Sequence, residues 1–170
     1  MAVLKVWTGA GQEYRPVLNI LLVDDQFLQS GGRAILDARA DWTVIEASRD
    51  LEAVRHANTH DPHVVVLAAD QPGLDAIEAS ALLTEWFPAV PVLITSDAFD
   101  EEVAGRALRA GARGFVLRES AGEDLVRAIE ALVAGESYFS PTVAKWILEQ
   151  YLRDRPCLPM SPRSQRRPSH

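Results

Sequence analysis

The residues able to do chemistry sit at the ends of short apolar runs: Asp24 and Asp25 after "ILLV", Ala68 after "VVVL", Thr95 after "VLI" and Arg118 after "FVL". Two adjacent carboxylates offer hard oxygen donors to a divalent cation, and equally they can cap a helix or pair with Arg118. Thr95 supplies a hydroxyl, and Arg118 a permanently charged planar fork of N–H donors. Ala68 supplies a methyl group, which is neither nucleophile, base nor ligand. Elsewhere the chemistry thins out. His56, His60 and His63 fall in no metal-ligand pattern, and the single cysteine, Cys157, has no partner for a disulfide or a cysteine-based metal site. With no nucleophile and base pair, no glycine loop to cradle a phosphate and no metal cluster, the sequence is not read as that of an enzyme.

These five positions gain meaning from the elements that carry them. From Leu18 onward, "LNILLV", "WTVIEA", "HVVVLAA", "VPVLIT" and "RGFVLR" alternate with helical patterns such as "FLQSGGRAILDARA", "DLEAVRHANTH", "LDAIEASALLTEWF", "DEEVAGRALRAG" and "GEDLVRAIEALVAG". Strands that are apolar throughout are covered on both faces, and a helix after each strand makes the neighbours parallel, so the spacing predicts a doubly wound α/β sheet. Such sheets bind their ligands outside the carboxyl ends of the strands. Gly111 and Gly135 stand where left-handed helix ends are wanted, and Asp50 and Asp100 where helices begin. Ser140 followed by Pro141, with apolar Val143, Trp146, Ile147 and Leu152 beyond, predicts one further amphipathic helix. Trp42 and Trp86 read as packing residues.

At 170 residues, 48% of them apolar and 24% charged, the chain suits one globular domain. It has no apolar run long enough to span a bilayer and no basic-then-apolar start, so a cytoplasmic location away from membranes is expected. The net charge of −7 is uneven: five arginines against one aspartate from Arg153 onward leave about −11 on the rest, a poor surface for nucleic acid. Residues 1–17 read as an N-terminal extension, 18–136 as the domain, 137–154 as a linker helix and 155–170 as a disordered tail.

"ILLVDDQ", "DPHVVVLAADQPGLD", "PVLITSD" and "GARGFVLRESAGEDLVRAIEALVAGESYFSPTVA", in that order, resemble the receiver domains of response regulators, particularly the NarL/FixJ branch, over about residues 18–152. The resemblance implies a flavodoxin-like (βα)5 fold with strand order 2-1-3-4-5 plus a C-terminal linker helix. It implies that Asp24 and Asp25 match the acidic pair that holds Mg²⁺ and that Thr95 matches the hydroxyl that follows the phosphoryl group. Two positions depart from the family. Ala68 falls where the phosphoacceptor aspartate belongs, and Arg118 replaces the lysine. Asp70, two residues on, falls in the loop, where the family supplies a backbone carbonyl; it is expected as a partner for Arg118 and only a poor substitute acceptor. With one carboxylate of the set missing, Mg²⁺ binding is expected to be weak.

Phe115 matches the family's switching aromatic. The resemblance implies a homodimer through the fourth helix, fifth strand and fifth helix, with Val103, Leu108 and Phe115 beside the charged Arg106, Arg109, Glu123 and Arg127. The expected role is signal transduction and transcriptional regulation without aspartyl phosphorylation, through dimerisation or partner binding. Two alternatives stay open: a small-molecule sensor using the vacated pocket, and a phosphorelay receiver with another acceptor. "CLPMSPRSQRRPSH" begins like the helix-turn-helix domain that follows in this branch, but about 14 residues cannot build a three-helix reader. DNA binding is therefore expected only through an output domain that this chain does not contain.

Overall fold

The computed structural model describes residues 17–23, 32–47, 50–70, 75–118 and 121–154, with side chains 50–54 and 121 left aside. Six parallel strands form one sheet in the order β2-β1-β3-β4-β5-β6. They are β1 (Leu18–Val23), β2 (Trp42–Glu46), β3 (Val64–Ala68), β4 (Val92–Ser96), β5 (Gly114–Leu117) and β6 (Tyr138–Phe139). Helices α1 (Arg33–Asp37), α2 (Asp50–His60), α3 (Ala76–Trp86), α4 (Glu101–Arg109) and α5 (Ala121–Val133) connect them, and α6 (Pro141–Arg153) follows β6. The expected doubly wound order is present, extended by one short strand.

Alternation along the central strands explains why whole runs are apolar. Leu21, Val23, Val65, Leu67, Ile94 and Phe115 point into one layer, against Ala57 of α2, Leu83 of α3 and Ala104 and Ala107 of α4. Their neighbours Ile20, Leu22, Val64, Val66, Leu93 and Val116 point into the other, against Leu36 of α1 and Leu125, Ile129 and Leu132 of α5. All five residues of β3 and all five of β4 are buried.

Asp100 caps α4 by accepting from the amides of Glu102 and Val103 at 2.8 and 3.0 Å, and Asp75 caps α3 in the same way. Ser140 precedes α6 as expected, but its hydroxyl does not cap that helix. Instead Ser140 Oγ, in a residue 2% exposed, accepts from the amide of Leu117 at 3.0 Å, while the Ser140 amide donates to the Phe115 carbonyl at 2.9 Å. The serine thus continues the β5–β6 pairing past the end of β6. Nearby, the Tyr138 hydroxyl donates to Asp124 Oδ1 at 3.1 Å; burial, then this contact with a carboxylate, raises its pKa above the ordinary value.

The segment read as a linker is built into the core. Val143 of α6 is fully buried, Trp146 and Ile147 pack against the α2–α4 layer, and the Trp146 ring meets Phe99 edge-on at 6.0 Å. α6 meets α4 at Gly105, where a Cβ would stand at ordinary contact distance, 3.5 Å, from the Trp146 ring. Trp42 lies under the Arg39 guanidinium, 4.8 Å from its ring centre. Trp86, read as a packing residue, is 60% exposed because the next residue, Phe87, takes the position against the core. No helix among the described residues is long and apolar enough to cross a membrane.

Gly111 and Gly135 both adopt positive φ, +93° and +85°, as their places after α4 and α5 suggested. Their surroundings differ. A Cβ at Gly111 would lie 2.6 Å from Thr84 Cγ2, whereas at Gly135 nothing stands within 4 Å. Gly135→Ala is expected to cost about 1 kcal/mol, the left-handed backbone alone, and Gly111→Ala about 2–3 kcal/mol, because Thr84 must also move. Urea denaturation of the two variants checks the order.

Candidate functional site

The carboxyl ends of β3, β4 and β5 bring the sequence-predicted residues together. Ala68 closes β3, is 1% exposed and lies in register with Thr95, which in turn lies in register with Val116 of β5. The last registered pair between β1 and β3 is Val23 with Leu67; Asp24 and Asp25, which follow Val23, lie outside the described residues. Ala68 keeps its place at the strand end, and no shift of register brings Asp70 into it: the Ala69 amide donates to the Thr95 carbonyl at 2.8 Å, and Asp70 falls in the turn beyond. Thr95 is 2% exposed, and its hydroxyl donates to the Leu67 carbonyl over a long 3.4 Å.

Asp70 is the centre of the site. Its Oδ1 stands 2.9 Å from the Ser96 hydroxyl, and its Oδ2 accepts from the Asp97 amide and from Arg118 Nη2, each at 2.5 Å. A hydroxyl, a backbone N–H and a guanidinium therefore converge on one carboxylate, a charge-assisted arrangement that ties the β3–α3, β4–α4 and β5–α5 connections together. Arg118, whose side chain is only 9% exposed, also brings Nε to 2.8 Å from Asp97 Oδ1. Ser96 Oγ lies 2.8 Å from the Ala98 carbonyl as well, which fixes its rotamer.

Ser96 and Asp97 were not singled out from the sequence. The signal was available: they follow Thr95 directly, and a strand end must turn its next polar groups toward the same cluster.

Of the residues expected at the dimer face, Phe115 is 1% exposed and packs inside the α2–α4 layer. The reason is strand alternation, which sends Phe115 to the same side as Ile94, under α4 and α6. Val103 and Leu108 are half-buried, Val103 against the same layer. The charged members remain outside: Arg106 stands 3.9 Å from Asp75 Oδ2, Arg127 pairs with Glu123 at 3.4 Å along α5, and Arg109 is exposed.

Residues 20–130 match the family model of the response regulator receiver domain, and the chain belongs to that family. It is 28% identical over 138 residues to the transcriptional regulatory protein DegU of Brevibacillus brevis, covering 80% of this chain and 58% of that protein. It is 32% identical over 123 residues to the nitrate/nitrite response regulator protein NarL of Escherichia coli strain K12, covering 71% and 57%. Among solved structures, a LuxR-family two-component response regulator from Aurantimonas sp. SI85-9A1 superposes with a TM-score of 0.71 at 32% identity, over 81% of this chain and 99% of that one. The chain spans about three fifths of the length of these curated relatives.

The family implies a Mg²⁺ ion, and Asp24 and Asp25, the pair expected to hold it, lie outside the described residues. Ala68 contributes no oxygen, Asp70 already accepts from three donors including a guanidinium, and no group of three or more His, Cys, Asp or Glu among the described residues is placed to hold a metal.

Breaking the Asp70–Arg118 pair from either side leaves a partly buried charge facing fewer partners. A double-mutant cycle of Asp70→Asn and Arg118→Gln, read by urea denaturation, is expected to give a coupling of about 1–2 kcal/mol, reduced from that of a fully buried pair by the partial exposure of Asp70. Asp97→Asn is expected to cost less than Asp70→Asn, since the Asp97 side chain is 58% exposed.

Proposed function

We propose that this chain is a receiver domain that serves signal transduction and transcriptional regulation without aspartyl phosphorylation, acting through dimerisation or partner binding. Ala68 at the end of β3 carries the reading. Phosphoryl transfer to a receiver needs a carboxylate oxygen that attacks phosphorus, and the residue beside Thr95 has only a methyl group. Asp70 does not take over the task. Its oxygens accept from Ser96, Asp97 and Arg118, and the guanidinium draws electron density from the carboxylate that would have to act as nucleophile.

In this reading the network is a lock. Three connections that a phosphoryl group would draw together are already joined by Asp70 and Arg118, so the domain holds one arrangement without a modification. The placement of Arg118 supports this over a metabolite-sensing pocket, because an entering anion would compete with two carboxylates that already hold the guanidinium. Contact with DNA would fall to a separate output domain.

Incubation with acetyl phosphate and Mg²⁺, followed by intact-mass measurement, is expected to leave the mass unchanged. An increment of one phosphoryl group that Asp70→Ala abolishes would overturn the proposal.

A further inference from the structure

We propose that α6 is a strap whose seating is governed by the Asp70–Arg118–Asp97 network, so that the candidate site acts on the rest of the chain by holding or releasing this helix. Two short paths join them. The first runs along β5: the Ser140 hydroxyl, at the entry to α6, accepts from the Leu117 amide at 3.0 Å, and Leu117 directly precedes Arg118. The second runs through the β4–α4 connection. Asp97, held through its amide by Asp70 Oδ2 and through its carboxylate by Arg118 Nε, lies two residues before Phe99, whose ring meets Trp146 of α6 edge-on at 6.0 Å. Between them, the Ser96 hydroxyl at 2.8 Å from the Ala98 carbonyl leaves the loop little slack. A shift of Arg118 therefore pulls on both attachments of the helix at once.

The seat itself is light. Val143 is the one α6 side chain that is fully buried, Trp146 and Ile147 are partly so, and the buried indole N–H of Trp146 has no hydrogen-bond partner among the described residues. A donor buried without an acceptor carries a cost that water relieves on release. Beyond Ile147 the helix gives the body nothing apolar, since Leu148, Tyr151 and Leu152 are all exposed. Opening α6 thus gives up three side-chain contacts and the Ser140 hydrogen bond, while the sheet and the α2–α4 layer stay in place. An element with a seated and a released position, attached one and two residues from the site, converts a change in ion pairing into a change in position. With the Arg118 fork held by two carboxylates, Leu117 and Phe99 are fixed and the strap is seated; with the fork freed, the released position gains weight. The inference deepens the reading of the network as a lock and rests on it, naming α6 as what is locked.

Hydrogen exchange of the full chain, followed by mass spectrometry, tests the strap without any phosphate donor, so its outcome stands apart from the acetyl phosphate measurement. Arg118→Gln is expected to speed exchange of the amides from Lys145 to Arg153 by about tenfold. Should that variant fail to fold, Asp97→Asn, at a side chain 58% exposed, is expected to act in the same direction by about threefold. Leu36→Val lowers global stability from the opposite layer without touching either path, and it is expected to leave α6 exchange unchanged, because local opening does not require global unfolding. With both attachments cut by Ser140→Ala and Phe99→Leu, α6 should exchange fast already, and adding Arg118→Gln should change it by less than about twofold. Exchange of α6 that ignores Arg118→Gln and Asp97→Asn would overturn the proposal. So would an acceleration that Leu36→Val reproduces, or one that persists in full after both attachments are cut.

Discussion

The guanidinium of Arg118, held between Asp70 and Asp97 at the open end of the sheet, organises the functional end of this domain. A largely buried cation needs carboxylates, and a carboxylate in a turn needs donors. Here each answers the other, with Ser96 and the Asp97 amide completing the shell around Asp70. The result joins three loops that leave three different strands.

In the proposed reading the two expected departures from the family pattern belong together: a domain without an acceptor carboxylate has no use for a compact, mobile ammonium after β5 and has room for a bulkier planar cation. Arginine then fixes what lysine would only sense, because its fork meets two carboxylates from two loops at once.

Much of this was legible in the sequence, for physical reasons. Apolar runs without polar alternation fit strands buried on both faces, and the central strands divide their residues between two layers as that requires, while the edge strand β2 stays partly exposed. Gly111, Gly135 and Asp100 were readable because each answers a local demand of backbone or cap. What escaped depended on contacts between distant segments. β6 is two residues long and pairs along the edge that β5 offers it, and the Ser140 hydroxyl accepts from the Leu117 amide. The inward turn of Phe115 follows from strand parity. Ser96 and Asp97 became visible only when Asp70 was seen to gather them. Asp24 and Asp25, half of the expected acidic pocket, lie outside the described residues.

If, as proposed, the domain works without aspartyl phosphorylation, its site should ignore the ligands that switch an ordinary receiver. The sharpest check is the ¹H–¹⁵N correlation spectrum of the domain, recorded while Mg²⁺ and beryllofluoride, a mimic of the acyl phosphate group, are added. The amides of Ala69, Ser96, Asp97 and Arg118 are expected to keep their positions throughout. Saturable shifts of those amides that require both additions together would contradict a silent, internally locked site.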